Sequence, residues 1–422
     1  MLSLKFIRQQ PDQVRRAVTE KNLTLDLDRL LALDRKLRGA KQRLDAFRAQ
    51  KKHAASAFRD RPVGGSMRAE HSHQARALSA EIAALEKSVK QDQTDLNALL
   101  LQVPNIPSDE APIGPDAGSN RVVRKVGAPP DFGFPLRDHV ELMDLNDWGA
   151  GGQVAKVCGT RTHSLKGRLA ILEQVLLLHA MTKLTGQGFT AVTVPALARE
   201  QAFTASGYFP FARDDVFALP RDDLHLSGTA EIILNSLHSG EILGEDRLPL
   251  LYAGLSPCFR REAGSAGRDV RGLLRVHQFV KLELFVLCRN DPAESAQWHA
   301  QLLTHAEQLL ADLALPYQVV ECATGDMGPG KFRMHDIETW MPSLAKYRET
   351  HSCSSLHDWQ ARRANLRYRS RDGKVHHLHT LNNTALASPR ILAPFLEVHQ
   401  TPNGRVRLPE KLRGYFDGDV FL

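Results

Sequence analysis

The sequence predicts an α+β protein in which a helical hairpin precedes a larger region of mixed helices and strands. A pair of heptad seams in the N-terminal quarter, with a short break rich in proline and glycine between them, predicts the hairpin. From about residue 140 to the end, amphipathic helical stretches mixed with short apolar runs predict the larger region. The 422 residues suffice for two or three domains.

The two seams define the arms of the hairpin, at about residues 29–60 and 68–103. Small or apolar residues recur every three or four positions, at Leu30, Leu33, Leu37, Ala40, Leu44, Phe47, Ala54 and Phe58 in the first arm and at Leu78, Ile82, Leu85, Val89, Leu96, Leu99 and Val103 in the second. Lys51 and Asp92 interrupt them. Pro62, Gly64, Gly65 and Ser66 separate the arms, which predicts an antiparallel coiled coil with arms roughly 45 Å long or more.

The first arm and the tip of the hairpin carry an excess of positive charge. Between Asp34 and Arg68 there are 11 lysines and arginines against three acidic residues. Coiled-coil flanks are commonly charged, but a solvated face would carry both signs in similar numbers. The excess, within a chain of net charge +7, favours the phosphate backbone of a nucleic acid as the partner.

Composition excludes several other classes of protein. No apolar run is long enough to span a membrane, and basic residues follow Met1 too closely for a secretory signal. The five cysteines are odd in number, widely spaced and without a CxxC motif. We therefore expect reduced thiols in a cytoplasmic protein, with neither a disulfide framework nor a zinc site.

The stretch from Phe259 to Phe285 carries the strongest chemical signal. Strand-like residues precede and follow a loop in which five arginines lie between positions 260 and 275 with three glycines. Arginine suits phosphate oxygens, and glycine lets a ligand approach the backbone. On the returning strand Phe279 and Glu283 share one face, so a ring for stacking and a carboxylate for an ammonium would meet in one pocket. A salt-bridged surface hairpin is the competing interpretation.

Two further polar clusters follow in the C-terminal part. In the stretch 346–354, alternation puts Glu349, His351 and Cys353 on one face. A metal site completed by His376, His377 and His379 is one interpretation, although the spacing is not that of a zinc site, and magnesium held with nucleotide phosphates is another. The stretch 380–390 predicts a polar loop, with Arg390 at the start of a helix over 391–398.

Together these motifs resemble the class II aminoacyl-tRNA synthetases, and in particular the seryl-tRNA synthetase family of bacterial type. Phe259-Arg260-Arg261-Glu262, the glycine-bearing loop and Arg275-Val276-His277-Gln278-Phe279 look like motif 2, at about 250–285. The helix and strand over 168–195 resemble motif 1, and residues 383–398 resemble motif 3. Thr229-Ala230-Glu231, the stretch 324–328, the stretch 348–354 and the basic hairpin look specific to the seryl subgroup.

The resemblance implies a tRNA-binding domain over 1–110 and a catalytic domain over 111–422, built on an antiparallel sheet flanked by helices. It implies a homodimer that uses ATP with Mg²⁺, L-serine and tRNA(Ser), with tRNA(Sec) as a second acceptor. The resemblance assigns Arg260, Glu349 and Arg390 to catalysis, and Arg260, Arg261, Glu262, Arg275, Val276, Phe279, Glu349, Thr350, His351, Ser352 and Arg390 to ATP. It assigns Thr229, Ala230, Glu231, Arg260, Glu283, Asn382 and Thr384 to serine, and Glu349 and Ser352 to magnesium. Arg35, Lys36, Arg38, Lys41, Arg43, Arg48, Lys51 and Lys52 are the residues implied for tRNA.

The sequence departs from the family pattern at two places. Arg261 stands where a small residue is usual, and the stretch before Arg390 lacks the usual glycines. A synthetase-like paralogue that binds nucleotide or RNA without charging is therefore the main competing hypothesis. A coiled-coil RNA-binding or structural protein and a class II synthetase for another amino acid also compete with the seryl interpretation.

Overall fold

A computed structural model describes residues 1–59, 65–149, 151–263 and 271–422. The contacts divide the chain into two compact units. One consists of Leu4–Val18 and Thr24–Val103, and the other of Met1–Ser3, Thr19–Leu23 and Pro104–Leu422. Within the described ranges no helix combines the length and the apolar character needed to cross a bilayer.

The smaller unit contains the predicted helical hairpin. Its helices are α1 (Leu4–Gln9), α2 (Pro11–Glu20), α3 (Leu27–Arg59) and α4 (Gly65–Leu100). Leu30, Leu37 and Leu44 of α3 and Ile82 and Leu96 of α4 are buried at heptad spacing, which confirms the coiled coil. Residues 60–64 of the predicted break lie outside the described residues. Gly65 and Ser66, expected to belong to that break, are instead the first residues of α4.

Two carboxylates occupy buried positions of the seam. Asp34 is 3% exposed and accepts from Arg8 at 3.1 Å and Arg38 at 3.2 Å, while Asp92 is 7% exposed and accepts from Lys36 at 2.8 Å. A buried carboxylate needs such partners because desolvation penalises the bare charge. The interruption of the apolar pattern at Asp92 is therefore an ion pair between the arms rather than a break in the coil.

The larger unit is built on an eight-stranded sheet. The strands of this unit, which form the large sheet and two small three-stranded sheets, are β1 (Arg121–Val126), β2 (Thr190–Thr193), β3 (Leu197–Ala198), β4 (Ala218–Leu219), β5 (Leu224–Leu226), β6 (Ile242–Gly244), β7 (Leu250–Phe259), β8 (Gln278–Cys288), β9 (Tyr317–Glu321), β10 (Arg333–Met341), β11 (Lys346–His357), β12 (Arg367–Arg369), β13 (Val375–His377) and β14 (His379–Ser388). The large sheet has the order β1-β9-β10-β11-β14-β8-β7-β2. Each neighbouring pair is antiparallel except β2 and β7, which run parallel.

Helices cover this sheet and fill the connections between its strands. They are α5 (His139–Leu145), α6 (Gly151–Cys158), α7 (Gly167–Gly186), α8 (Glu200–Ser206), α9 (Glu231–Leu234), α10 (Pro292–Asp312), α11 (Trp359–Ala364), α12 (Leu392–Val398) and α13 (Glu410–Arg413). Of the helix and strand expected over 168–195, the helix is α7 and the strand is β2. The α+β fold with a helical arm is thus confirmed, and the expected antiparallel sheet is a mixed one, antiparallel except between β2 and β7.

The two faces of β8 serve different purposes. Leu282, Leu284 and Val286 belong to the main core with residues of α7, α10 and α12. Phe285 and Leu287 point to the opposite face, where a second apolar cluster lies. Phe279, Lys281 and Glu283 share that second face. An aromatic ring and two charged side chains therefore lie next to the apolar cluster on the same side of the strand.

The prediction of a loop over residues 380–390 is wrong. Residues 379–388 form β14, a central strand paired with β11 on one side and β8 on the other. Asn382, Asn383 and Thr384 suggested a loop because polar residues are rare in buried strands. In the structure they are buried, and Asn382 and Asn383 each donate to a partner within the unit.

Candidate active site

An open cleft with about 950 Å³ of empty space lies where β7, β8, β11 and β14 meet. Residues from the stretch 259–285 and from the two polar clusters at 346–354 and 380–390 line it. Those expected from the sequence are Glu231, Arg260, Glu262, Arg275, Val276, Phe279, Glu283, Glu349, Thr350, Ser352, Asn382, Thr384 and Arg390. Residues far apart in the chain therefore contribute to one site, which a salt-bridged surface hairpin would not require.

Arg260 lies at the end of β7, facing the returning strand. Its backbone N–H donates to His277 at 2.9 Å, and its guanidinium donates to the Gly228 carbonyl at 3.3 and 3.4 Å. The guanidinium carbon is 5.3 Å from the centroid of the Phe279 ring, a cation–π contact. Burial lowers the pKa of Arg260, but Tyr208, Cys258, Glu262 and Glu349 together raise it above its usual value, so a permanent cation faces the cleft.

Glu262 and Arg275 pair with each other. Arg275 donates to the Glu262 carboxylate at 2.7 Å, with both side chains partly buried. The pair joins a residue expected to contact adenine to one expected to contact phosphates. The connecting residues 264–270, which include two of the three loop glycines, lie outside the described residues.

Two further carboxylates, Glu231 and Glu283, line the cleft. Glu283, 2% exposed, accepts from the Thr229 hydroxyl at 3.2 Å and is in contact with the Lys281 ammonium. Glu231 accepts from Gln360 at 2.7 Å and from Asn382 at 2.9 Å. Both carboxylates are held in fixed positions, as recognition of a small polar ligand requires.

Thr229, Ala230, Arg261 and His351 are not among the residues that line the cleft. Thr229 acts one step behind it by bonding Glu283, and Ala230 is fully buried in the second apolar cluster. Arg261 turns outwards, with its backbone N–H on Asp215 and its guanidinium 5.7 Å from the centroid of the Phe217 ring. Thr229 therefore positions a site residue, and Arg261 packs against an aromatic side chain.

A β-bulge overturns the expectation that Glu349, His351 and Cys353 share one face. Glu338 of β10 pairs with Glu349 while Ile337 pairs with His351, so Thr350 is an extra residue on β11. The bulge brings Glu349 and Ser352 to the cleft, whereas Cys353 lies in the main core. His351 is 2% exposed, and burial lowers its pKa to about 4. Alternation could not reveal this change of phase, because a bulge leaves no regular pattern in the sequence.

A second bulge lies next to the first, on β14. Thr384 pairs with Glu283 and Leu386 with Leu282, so Ala385 is the extra residue. As a result Asn382, Thr384 and Ala387 all line the cleft. The glycine-poor stretch before Arg390 is thus a bulged strand, and Arg390 donates to the Leu274 carbonyl at 3.2 Å.

The oxygen atoms of Glu349 and Ser352 suit a hard cation such as Mg²⁺. Ser352 lies opposite Asp336 in the register and hydrogen-bonds its carboxylate, whose other oxygen, Oδ1, is buried without a hydrogen-bond partner in the structure. Burial and the nearby charge of Glu349 raise the pKa of Asp336. This arrangement of oxygen donors fits a cation bound together with phosphates.

The metal site considered for Glu349, His351 and Cys353 with three C-terminal histidines does not form, although all six residues are described. His376 and His377 lie in β13, in a separate small sheet. The ring of His379 stacks on that of His357, with the ring centroids 4.5 Å apart. Cys322, Asp326 and Asp336 do bring ligand atoms within 4.8 Å of one another. Burial raises the pKa of the Cys322 thiol, which disfavours the thiolate that a metal needs.

The cleft also contains residues that sequence reasoning left without a role. Tyr208, Lys281 and Lys331 line it. Lys281 could have been found, because it lies between Phe279 and Glu283 on the same face of β8. Lys331 follows the stretch 324–328 that resembles the seryl subgroup, but only the folded chain brings it beside Glu231.

In the helical unit, the predicted tRNA-binding residues fall into two groups. Lys36 and Arg38 pair with the buried carboxylates, Arg48 pairs with Glu86 at 2.8 Å, and Lys41 donates to Gln93 at 2.9 Å. Arg35, Arg43, Lys51 and Lys52 form the second group and are exposed on α3. Part of the positive charge therefore also stabilises the coiled coil.

A mainly antiparallel sheet whose cleft holds a stacked arginine and phenylalanine together with fixed carboxylates is the core of a class II aminoacyl-tRNA synthetase. A family model of the tRNA synthetase class II core domain (G, H, P, S and T) matches residues 217–399, and one of the seryl-tRNA synthetase N-terminal domain matches residues 1–107. The serine–tRNA ligase of Deinococcus radiodurans is 49% identical, with 100% of this chain and 99% of the relative covered. That of Symbiobacterium thermophilum is 40% identical, with 98% of each covered.

Solved structures agree with these relatives. The crystal structure of seryl-tRNA synthetase from Pyrococcus horikoshii complexed with ATP has a TM-score of 0.92 and 34% identity, covering 100% of this chain and 99% of that one. A cytoplasmic serine–tRNA ligase from Naegleria fowleri in complex with AMP has a TM-score of 0.85 and 26% identity, with 97% and 95% covered. The chain belongs to the seryl-tRNA synthetase family.

Proposed function

We propose that the protein activates L-serine with ATP and transfers it to tRNA(Ser). The observation that carries this proposal is the cleft itself, which is lined both by Arg260 stacked on Phe279 and by the fixed carboxylates Glu231 and Glu283. The first pair suits an adenine nucleotide, and the second suits the ammonium and hydroxyl of serine. Relatives named serine–tRNA ligase over the full length of the chain support the same activity.

The reaction has two steps. A carboxylate oxygen of serine attacks the α-phosphorus of ATP, the bond to pyrophosphate breaks, and seryl-adenylate forms. The terminal ribose hydroxyl of the tRNA then attacks the seryl carbonyl, and AMP leaves. The chain needs no nucleophile of its own, because fixing the reactants can contribute ~7–11 kcal/mol and cationic side chains stabilise the developing phosphate charge.

The nucleotide would occupy the arginine-rich end. Arg260 would hold the α-phosphate together with the serine carboxylate, and Arg275 the β- and γ-phosphates. Phe279 and Arg390 would enclose the adenine ring, with Glu262, Val276 and Thr350 near it. Binding in this way would separate Glu262 from Arg275, which are linked at 2.7 Å.

Glu283, held by Thr229, would receive the serine ammonium, and Glu231, Asn382 and Thr384 would complete the pocket around its side chain. A site that bonds a hydroxyl rejects alanine by ~10⁴-fold or more, because the analogue leaves buried polar groups unpaired. Threonine would have to be excluded by the size of the pocket.

Glu349 and Ser352 would hold Mg²⁺ with the ATP phosphates, and the ion would supply positive charge there when bound. We assign no role to zinc. Chemistry would belong to residues 111–422 and tRNA binding to residues 1–110, with Arg35, Arg43, Lys51 and Lys52 most available to phosphates. The proposal extends to tRNA(Sec) as a second acceptor and to action in the cytoplasm.

We further propose a homodimer that forms through the region of motif 1. Helix α7 carries Ile171 and Leu178 one heptad apart, 53% and 55% exposed in the single chain. Large apolar side chains repeated on one helix face suit contact with a second copy.

Serine-dependent exchange of pyrophosphate into ATP tests the activation step directly. Arg260→Ala should reduce exchange by at least ~10³-fold, because it removes the cation at the reacting phosphate. Arg261→Ala is the matched control, since that guanidinium faces Phe217, and it should stay within about threefold of the wild type. Equal effects of the two substitutions would reject the assignment of Arg260.

Charging of total tRNA with each amino acid in turn distinguishes the remaining candidates. The proposal requires serine to be the amino acid attached. Binding of ATP with neither exchange nor charging would instead identify a synthetase-like paralogue, and exchange with a different amino acid would identify another class II synthetase.

A further inference from the structure

Lys331 is a cation of the cleft to which the assignments above give no role. It lines the cleft with a side chain 20% exposed, and its ammonium lies 3.9 Å from Glu231. Glu283, at the same end of the cleft, already has Lys281 as its partner. Each carboxylate of the amino-acid end therefore has one lysine, and the Lys331 pair is the looser of the two.

The pairing matters because serine arrives as a zwitterion. Glu231 and Glu283 attract its ammonium but repel its carboxylate, and such repulsion is strong where water is scarce. A cation beside Glu231 cancels part of that repulsion. At 3.9 Å it also retains the freedom to interact with the incoming carboxylate.

The backbone that carries Lys331 is held by a second, buried lysine. The ammonium of Lys21 donates to the carbonyls of Gly328, Pro329 and Lys331 at 3.3, 3.1 and 2.6 Å. An ammonium has three donors, so these carbonyls use them all. Lys21 is 4% exposed, and burial together with the charge of Lys331 lowers its pKa to about 7.

Asn105 fixes the remaining carbonyl of the same segment. Its side-chain amide donates to Gly330 at 3.1 Å and to Leu356 at 2.8 Å, and its backbone N–H donates to Pro329 at 2.9 Å. All four carbonyls from Gly328 to Lys331 thus have a donor. A side chain at Gly330 would collide with the Trp359 ring, because its Cβ would lie 2.6 Å from a ring carbon.

We propose that Lys331 is a further serine-binding residue and that Lys21 is a positioning residue that holds it beside Glu231. This inference rests on the proposed function of the cleft. Lys21 touches no substrate. It acts through the backbone from Gly328 to Lys331, whose course decides where the Lys331 ammonium lies.

Pyrophosphate exchange with serine and ATP varied separately tests the inference. Lys331→Met should raise the KM for serine ~10-fold, the size expected for one charge-assisted contact, with the KM for ATP within about twofold. Lys21→Met should likewise raise the KM for serine and leave the KM for ATP nearly unchanged. The KM for serine of the double variant should be no higher than that of Lys331→Met alone, because both substitutions remove the same contact between Lys331 and serine.

Two controls separate positioning from loss of fold. Asn22→Ala removes a neighbouring bond of 2.7 Å to the Pro115 carbonyl and should leave both KM values unchanged. Lys21→Ala leaves room for an added amine, so butylammonium should restore the KM for serine and butanol should not. This rescue also decides the matter if Lys21→Met fails to fold.

The outcomes are distinct from those that test the proposed function. A wild-type chain without serine-dependent exchange would overturn the function itself. A wild-type chain that exchanges normally, with Lys331→Met at an unchanged KM for serine, would overturn the role of Lys331. Additive effects in the double variant, or rescue by butanol, would overturn the positioning role of Lys21.

Discussion

Single residues at the amino-acid end of the cleft combine charge with burial. Glu231 and Glu283 are 6% and 2% exposed, which would be costly for unpaired carboxylates. Each is held by a neutral donor and accompanied by a lysine. Because the donors fix the oxygen positions, changes in these donors should affect recognition before they affect the fold.

Thr229→Val tests this at the residue that bonds Glu283 at 3.2 Å. The substitution keeps the shape of the side chain and removes one hydrogen bond, worth about 1 kcal/mol, so the KM for serine should rise by about fivefold. Thr304→Val is the control, since its hydroxyl bonds the Ala300 carbonyl at 3.0 Å within α10, away from the cleft. An equal rise in both variants would show that Thr229 acts through general stability alone.

Some of these residues could be predicted and others could not. Phe279 and Glu283 share a face of β8, as strict alternation indicated. His351 did not follow alternation because of the bulge at Thr350, and the pairing of Glu262 with Arg275 joins positions that no periodicity connects. Lys331 and Glu231 are 100 residues apart in the sequence and meet only through the fold.

Among the elements, the two neighbouring bulges on β11 and β14 determine which side chains reach the cleft. Each inserts one residue and changes the phase of the strand after it. Regular strands would direct alternate residues inwards, whereas these present Glu349 with Ser352 and Thr384 with Ala387. A strand was expected at β11, although its bulge was not, and a loop was expected where β14 lies because the polar residues of that strand are paired internally.

The first helix of the arm offers a test at the level of elements. Lys51→Gln with Lys52→Gln should raise the KM for tRNA several-fold and lower the slope of log affinity against log salt by about 2, as expected for two lost phosphate contacts. Lys87→Gln with Lys90→Gln makes the same charge change on α4, where both lysines are also exposed. Equal effects of the two pairs would mean that total charge, not α3, attracts the tRNA.

For the whole molecule, buried histidines predict how stability depends on pH. Burial lowers the pKa values of His351, His357 and His379 to about 4, whereas in the unfolded chain each would be near 6.5. Between about pH 4 and 6.5 the unfolded chain binds more protons, so stability falls as the pH falls through this window. Above it, these three groups contribute no further change.

Urea unfolding at pH 7 and pH 5 measures the effect. Each histidine should cost about 2 kcal/mol of unfolding free energy at pH 5, and His351→Gln should reduce the loss by about that amount. A loss of equal size in the variant would show that other groups are responsible.

The helical hairpin could be predicted from the sequence because it rests on local patterns, whereas the order of the strands could not. The hairpin is built from local heptads, and its helices begin and end within a few residues of the predicted bounds. The order of the eight strands depends on pairings between distant segments, which local patterns do not encode. The antiparallel sheet was expected from the family resemblance alone, whereas its register became known only from the structure.

The contact boundary between Val103 and Pro104 has a consequence for how such a protein can change over time. Under the proposed function, the choice of nucleic acid is encoded mainly between Thr24 and Val103, and the choice of amino acid depends on the stretch after Pro104 together with Lys21. A substitution between Thr24 and Val103 would therefore alter one half of the translation rule and leave the other intact. Exchange of the arm between relatives would then reassign the adaptor molecule without altering its cargo.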